Sequence, residues 1–171
     1  MRTLFHSIVY LSLGLWLGAL VFFGAAVAPI AFGELPPLFA NRPQGFHAAG
    51  VVVGDSLVRL HSMGFFFGVV FLAVMLLSRV HYRTVLPQAV LVVLMLLLTG
   101  YSQFSIIPRM NTARDAVGGN IEAVAANNPG REIFDHLHQL SVRIETIVLL
   151  CGFAAFGATV HLARRDLSTA I

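Results

Sequence analysis

The stretch SIVYLSLGLWLGALVFFGAAVAPIAF, residues 7–32, decides the fold of this 171-residue chain. It contains no charged residue, and it exceeds the roughly 20 apolar residues that a helix needs to cross the hydrocarbon core of a bilayer. Residues 56–77, 84–107 and 133–162 are also long and apolar enough to span. We therefore predict an all-α integral membrane protein, a four-helix bundle formed as a single transmembrane domain over residues 1–171.

The composition excludes several classes of protein. Hydrophobic residues make up 57% of the chain and charged residues only 11%, whereas a soluble domain has about 25% charged residues. The net charge is +3, but the basic residues lie near the ends of the predicted helices. They therefore indicate membrane topology and not a nucleic-acid partner. The lone cysteine, Cys151, excludes an internal disulfide.

Arginine placement predicts the orientation of the bundle. The N-terminus, the connection between the second and third spans, and the C-terminus carry five arginines against one acid. With four spans these three segments fall on one face, and the positive-inside rule puts that face in the cytoplasm. We therefore predict cytoplasmic N- and C-termini and a multi-pass protein of the bacterial inner membrane. The five arginines are Arg2, Arg79, Arg83, Arg164 and Arg165.

The two outer connections, residues 33–55 and 109–131, are long for loops between packed helices. Apolar residues such as Phe39 and Phe46 predict short interfacial helices or a cap that folds back over the bundle. Pro108 is predicted to end the third span, because proline lacks the amide hydrogen that a helix interior uses.

Ionisable residues in the second and fourth spans indicate a site. Such groups are rare at membrane depth, face protein or water, and mark functional sites. His61 lies about five residues into its span and His138 about six, so both lie roughly 8–9 Å below the outer helix starts. Both spans run in the same direction. We therefore predict a polar pocket beneath the outer face, with the charged start of the fourth helix as one wall.

Helical phase selects the residues of this pocket. Phe134, His138, Ser141, Glu145 and Leu149 share one face of the fourth helix. The third span adds polar residues near its outer end. The predicted cofactor-binding residues are His61, His138, Arg59, Arg143, Ser141 and Glu145, and the predicted metal ligands are His61 and His138.

Two interpretations of the polar layer need no cofactor. In one, Arg59, Arg143, Asp135 and Glu145 form interhelical ion pairs that fix the helix register and bind no ligand. In the other, Glu145 and His138 begin a path for protons or small solutes. The inner half of the bundle offers few polar residues to continue such a path.

Three interpretations involve a cofactor. His61 and His138 are suited to ligate haem b, with the two neighbouring arginines at its propionates. One histidine alone suits a chlorophyll-type pigment. Copper or zinc is a further alternative, because His136 with Met63 or Met110 adds nitrogen and sulfur donors. Against it, the two histidines of an H-x-H pair lie about 200° apart on a helix and do not readily grip one ion.

Small residues spaced along the first two spans predict close helix contacts. Gly14 and Gly18 in the first span, and Gly64 and Gly68 in the second, would let neighbouring helices approach closely. His61 shares the face of Gly64 and Gly68. The predicted contact surface of the second span therefore continues into the predicted site.

Three motifs resemble a known membrane family. LWLGALVFFGAAVAPIAF (15–32), IIPRMNTARD (106–115) and FDHLHQLSVRIETIVLL (134–150) resemble the four-helix domain of vertebrate transmembrane protein 205 and many bacterial proteins. That domain has no established activity. It is distantly similar to the CopD copper-resistance membrane domain and to a haem-binding membrane oxidase of porphyrin synthesis, so the resemblance favours the haem and copper options. The matching positions are Pro29, Pro108, Arg109, Phe134, His138 and Ser141; the family pattern expects a neutral residue near Glu145.

The function predicted from these observations is non-catalytic. No nucleotide loop, Ser–His–Asp set or CxxC motif is present in the sequence. We predict a membrane binding or assembly subunit whose outer polar layer holds a ligand or docks into a larger membrane protein complex, surrounded by the lipid bilayer. The alternatives are a haem b or copper protein in redox or metal handling and a small-solute or proton transporter.

Overall fold

A computed structural model of the chain describes residues 2–77 and 82–168, with side chains at residues 7–77 and 86–161. Within these ranges the regular structure is entirely helical. The α-helices are α1 (Arg2–Phe22), α2 (Ala28–Glu34), α3 (Arg42–Leu77), α4 (Tyr82–Tyr101), α5 (Ile107–Asp115) and α6 (Pro129–Ser168). Two π-helical segments cover Phe23–Val27 and Ser102–Ile106, and two 3-10 turns cover Pro36–Leu38 and Ile121–Ala123.

Four continuous helical spans form the molecule. A π-helical segment joins α1 to α2, another joins α4 to α5, and α3 and α6 are spans by themselves. The spans cover Ser7–Leu38, Arg42–Leu77, Leu86–Asp115 and Pro129–His161, with mean hydropathies of 1.7 to 2.2 in their most apolar windows. Each is long and apolar enough to cross a membrane, which confirms the predicted all-α fold with four spans.

The spans alternate in direction, which gives the bundle two different ends. α1 begins and α6 finishes at one end, called the terminal end. Residues 35–41 and 116–128 connect helices at the opposite end, called the loop end. Near the terminal end, the hydroxyl of Tyr10 donates a hydrogen bond to the carbonyl oxygen of Thr159 at 3.1 Å, which joins the first span to the last.

The first loop-end connection is mostly helix, contrary to the predicted long loop. α3 begins at Arg42, and only residues 35–41 separate it from α2. Proline is tolerated in the first turn of a helix but not in its interior, so Pro43 limits how far this helix can extend toward the N-terminus. His47 therefore lies on α3 and not in a loop.

The second loop-end connection is also shorter than predicted. The third span continues through Pro108 as α5 and ends at Asp115. Gly118 and Gly119 then adopt φ angles of +83° and +89°, which only glycine adopts readily, and they turn the chain away from the helix. The remainder of the connection contains one 3-10 turn at Ile121–Ala123 before α6 begins.

The two π-helical segments explain why prolines do not end the first and third spans. Each segment begins six residues before a proline, Phe23 before Pro29 and Ser102 before Pro108. In an α-helix the proline ring would clash with the carbonyl four residues earlier. A π-helical turn adds one residue to the ring of backbone atoms and relieves this contact. Both spans therefore continue past their prolines, although the sequence predicted that Pro108 would end the third span.

The core lies where the first span crosses the second. Trp16 is 2% exposed, and a Cβ atom added to Gly64 would lie 2.6 Å from its indole Nε1. Gly68 lies against the same ring and against Leu96. Only glycine admits this approach, so the predicted close contact is present at Gly64 and Gly68. It is absent at Gly18, where an added Cβ would meet nothing within 4 Å. The outward faces carry exposed apolar side chains suited to lipid, among them Phe66, Leu97 and Leu150.

Candidate functional site

Three spans meet at His61, which is 1% exposed. Its Nε2 lies 2.8 Å from Oε1 of Glu145 on α6, and its Nδ1 lies 2.8 Å from Oε1 of Gln103 in the second π-helical segment. His61 and Glu145 are in direct contact and therefore lie at the same level of the bundle. His61 lies sixteen residues, about 24 Å of helix, from Leu77, and Glu145 lies equally far from His161. Leu77 and His161 lie toward the terminal end, so the contact is in the loop half.

The local sequence explains this meeting. Gly64, one turn from His61, lies directly against Trp16, so α3 is pressed into the bundle at the level where the imidazole points inward. Gln103 lies where the third span changes from α to π geometry. Glu145 shares its helix face with Ser141, which is also buried. Each span thus contributes one side chain of a hydrogen-bonded group of three.

Both nitrogens of His61 face oxygen atoms, which limits where protons can be placed. One arrangement has an imidazolium beside the Glu145 carboxylate. In another, a protonated Glu145 donates to Nε2, and Nδ1–H donates to Oε1 of Gln103, as it also does in the first. The two differ by the position of one proton, and the Glu145–His61 pair is neutral overall in both. A neutral, hydrogen-bonded pair is the form in which ionisable groups are tolerated at membrane depth.

Glu145 has an unused acceptor. Its second oxygen, Oε2, is buried and has no hydrogen-bond partner. A buried polar atom without a partner destabilises a fold by about 1–3 kcal/mol. Native proteins therefore leave few such atoms, and one beside a cavity indicates a missing partner. The hydroxyl oxygen of Ser102, next to Gln103, is another buried atom without a hydrogen-bond partner.

A cleft of about 660 Å³ opens beside Glu145 in the loop half. One wall is formed by the first span, including Phe23, Gly24 and Phe32, and the facing wall by α6, including Ser141 and Leu149. α3 and α5 complete the enclosure. In the terminal half the first span packs directly on α6, since a Cβ at Gly152 would lie 3.0 Å from Leu17. The cleft is therefore the space left where these two spans separate toward the loop end.

Charged residues surround the loop-end rim of the cleft. Asp55, Glu122, Asp135 and Arg114 line it. The guanidinium of Arg114 lies 5.7 Å from the ring centroid of Phe134, within the range of a cation–π contact. The rim is polar and the deeper walls are apolar, so the cleft as a whole is amphipathic.

Arg131 joins the second loop-end connection to the start of α6, next to this rim. Its Nη1 donates a hydrogen bond to the carbonyl of Val124 at 2.8 Å, and its Nη2 lies 3.3 Å from Oε2 of Glu122. Its Nε lies 3.7 Å from Oδ2 of Asp135. One guanidinium thus fixes two rim carboxylates and the backbone between them.

The structure brings together some of the predicted site residues and separates others. His61 bonds Glu145, and Ser141 and Glu145 line the cleft. His138 also lines it, but it is exposed and stacks on Phe134 with ring centroids 6.2 Å apart. The two histidines thus have different partners and do not face a common ligand in this arrangement.

Arg59 and Arg143 lie outside the cleft. Both are exposed, and in the part of the chain that the structure describes neither forms an ion pair. The predicted interhelical pairs of Arg59, Arg143, Asp135 and Glu145 are therefore not the pairs observed. Asp135 pairs with Arg131 instead, and Glu145 pairs with His61. On a spanning helix, long arginine side chains reach along the surface toward the head-group layer, which accounts for their exposure.

The arrangement does not fit haem ligation by His61 and His138. An axial bond needs a free ring nitrogen, and both nitrogens of His61 are engaged. Arg59 and Arg143, the predicted propionate partners, are not on the cleft wall. Among the described residues, no group of three or more His, Cys, Asp or Glu side chains is placed to hold a metal ion.

Sequence reasoning missed Gln103 as the third member of the buried group. The sequence indicated polar residues near the outer end of the third span, and Gln103 is one of them, but it indicated no partner for any of them. The signal was present, because an amide inside an apolar span needs a hydrogen-bond partner. The direction in which the Gln103 side chain points could not be predicted, because a π-helical turn shifts the helical phase and leaves no clear pattern in the sequence.

Fold and site together define a multi-pass integral membrane protein. The sequence model of a domain of unknown function, DUF4149, matches residues 11–118, more than half of the chain. The chain belongs to this family. The match includes His61 and Gln103, while Glu145 lies beyond it. No curated protein and no solved structure matches the chain.

Proposed function

We propose that this chain is a non-catalytic integral membrane protein that binds a small amphipathic molecule in the cleft of its loop half. The observation that carries the proposal is the cleft itself, about 660 Å³ in volume, with apolar deep walls and Glu145 among its lining residues. Protein sites for small molecules are typically concave, about 300–1,000 Å³ in volume and mostly apolar, with a few placed polar groups. The cleft has each of these properties.

The ligand enters from the bilayer in this proposal. Gly24, Val142 and Thr146 line the cleft and are exposed. They lie inside the first and fourth spans, at the level of the membrane and not of the loops. An opening bordered by these residues faces acyl chains, so a molecule dissolved in the membrane reaches the cleft sideways. The charged rim then meets the polar end of the molecule.

The other functions predicted from the sequence draw less support from the arrangement of residues. Haem or copper binding through His61 would need one of its ring nitrogens to give up its present partner, Gln103 or Glu145. A transport path would need polar groups to continue from Glu145 toward the terminal end. The buried polar residues described there are few and lie on three different spans: Ser12, Gln88, Thr99 and Thr159. Membership of a larger complex, location in the bacterial inner membrane, and the resemblance to transmembrane protein 205 and to CopD stay predictions.

Blocking the cleft tests the proposal. Leu149 lines the cleft, and its neighbour Leu150 is 62% exposed and faces away from it. Leu149→Trp fills the cleft with a rigid ring, and Leu150→Trp places the same ring in lipid. We expect native mass spectrometry of the purified chain to show one retained single-chain amphiphile with wild type and with Leu150→Trp. Occupancy with Leu149→Trp should fall at least about tenfold. Equal occupancy in all three proteins would overturn the proposal.

A further inference from the structure

We propose that the ligand of the cleft carries a protonated amine as its polar head. This inference rests on the proposed function, since it assigns the chemistry of the molecule that the cleft takes. The chain as a whole is basic, with a net charge of +3. The cleft, however, is lined by four of the chain's eight acidic residues and by only one of its eleven arginines, Arg114. These acids are Asp55, Glu122, Asp135 and Glu145.

Neighbouring cations do not cancel this negative charge. Arg131 contacts both Glu122 and Asp135, at 3.3 and 3.7 Å, so one guanidinium serves two carboxylates. His61 lies 2.8 Å from Glu145. Among the charged groups that line the cleft or pair with its carboxylates, four carboxylates face three cations, namely Arg131, Arg114 and a protonated His61. Arg42 lies over the ring of Phe46, which lines the cleft, but among the described residues it pairs with none of the four. The excess negative potential attracts a cation and repels an anion, which disfavours anionic lipid head groups.

Two further histidines, His47 and His138, lie on the cleft wall. Each imidazole presents one acceptor nitrogen in its neutral form and therefore also accepts a hydrogen bond from a donor head group. Arg59 and Arg143 are exposed outside the cleft and do not face its interior. Of the charged groups that line the cleft, four are carboxylates, which only accept when ionised, and one is the guanidinium of Arg114, which only donates.

The buried oxygen of Glu145 supplies the binding partner at depth. Oε2 has no hydrogen-bond partner, and it stays an acceptor whether the shared proton lies on His61 or on Oε1. An ammonium group has three donors and no acceptor, so it satisfies this oxygen directly. The terminal torsion of a glutamate is broad, and a small rotation of Glu145 presents Oε2 to the cleft while Oε1 stays near His61.

The rim and the deep acceptor have different roles in this proposal. Asp135 lies ten residues before Glu145 on α6, or about 15 Å along the helix. A single ammonium group does not contact both. We assign the contact to Glu145, and we assign to the rim carboxylates the attraction of the cation from the membrane interface. The apolar body of the ligand then lies against Phe32, Val142 and Leu149.

The experiment compares probes that share a twelve-carbon chain and differ in their head group. Dodecylammonium, dodecanol and dodecanoate are titrated into the full chain in a nonionic detergent, with protein-free micelles as the blank. Laurylated lysophosphatidylethanolamine forms a fourth arm, because an amine of this kind also occurs in a lipid head group. We expect dodecylammonium to bind at least about tenfold more tightly than dodecanoate, with dodecanol between them. Tight binding of the lysophosphatidylethanolamine would assign the amine to a lipid head group, and weak binding would assign it to a free amine.

Variants connect this preference to the cleft. Glu145→Gln keeps an acceptor for His61 and should reduce the preference for the amine at least about fivefold. If Glu145→Gln fails to fold, the double variant Glu122→Gln/Asp135→Asn tests the rim instead, with the same expected direction. Glu132→Gln, at an exposed acid outside the cleft, is the matched control and should keep the wild-type preference.

The outcomes separate the two proposals. If dodecanoate binds as tightly as dodecylammonium and Leu149→Trp abolishes both, the amine inference is wrong and the binding cleft stands. If the amine preference persists in Glu145→Gln and in the rim variant, the inference is also wrong. If Leu149→Trp leaves every probe bound as in wild type, the proposed function itself fails.

Discussion

His61 is held by Glu145 and Gln103, and the pairing with Glu145 can be measured on its own. Deleting one partner leaves the other buried and unsatisfied, whereas deleting both leaves an apolar contact. In a double-mutant cycle of His61→Leu and Glu145→Leu, we expect a coupling energy of about 0.5–2 kcal/mol, the range found for hydrogen bonds between membrane helices. Unfolding of the purified chain in mixed micelles gives the four free energies.

A matched cycle shows whether this coupling is specific. Glu132 is an exposed acid on the same helix as Glu145. A cycle of His61→Leu with Glu132→Leu should give a coupling energy near zero, because the two side chains share no contact. Coupling of equal size in both cycles would mean that the Glu145 result reflects a general loss of structure and not the hydrogen bond.

The chemistry of the site was largely predictable at the residue scale, but its pairings were not. His61 and Glu145 stood out because ionisable groups are rare inside apolar spans. A sequence gives the depth and phase of a residue, and it does not give the distance between two helices. His61 and His138 were matched by depth alone, yet the structure pairs His61 with Glu145, two turns further along α6. Gln103 was obscured by the π-helical turn in which it lies.

Packing between the first two spans gives a prediction at the scale of elements. A Cβ at Gly64 would lie 2.6 Å from Nε1 and 2.8 Å from Cε2 of Trp16, a large ring with no room to withdraw. Gly64→Ala should therefore destabilise the bundle by about 1–3 kcal/mol, as overpacked substitutions do. Gly18→Ala is the control, because a Cβ there meets nothing within 4 Å, and alanine favours the helix by up to about 1 kcal/mol.

Thermal unfolding of the two glycine variants distinguishes this explanation from a general intolerance of glycine substitution. Loss of stability in Gly64→Ala alone supports the close contact with Trp16. Gly64→Ala should cost less in a Trp16→Leu background than in wild type, because the smaller side chain makes room for the new methyl group, although Trp16→Leu destabilises the core by itself. Equal loss in Gly64→Ala and Gly18→Ala would contradict the packing derived from the structure.

Element existence was predictable because apolar length alone defines a spanning helix. Element ends were harder to predict, and each error has a local cause. Pro108 indicates a helix end under α-helical geometry, but a π-helical turn carries the helix past it to Asp115. Residues 42–55 carry both apolar and polar groups, and this composition did not distinguish an extension of α3 from an interfacial segment.

The molecule as a whole has a closed half and an open half. In the terminal half Tyr10 bonds Thr159, and the first and fourth spans pack directly. In the loop half the same two spans separate around the cleft. The contacts in the terminal half set the divergence of these two helices, which is why we expect ligand binding to move the backbone little.

Orientation in the membrane is the remaining prediction at this scale. The arginine bias puts the terminal end in the cytoplasm, which would put the cleft and its acidic rim on the outer side. In a Cys151→Ser background, Asn127→Cys reports the loop end and Ser168→Cys the terminal end. A membrane-impermeant maleimide applied to intact cells should label Asn127→Cys and should label Ser168→Cys only after the membrane is permeabilised. The reverse pattern would place the cleft on the cytoplasmic side, so its amine ligand would then have to come from the inner leaflet.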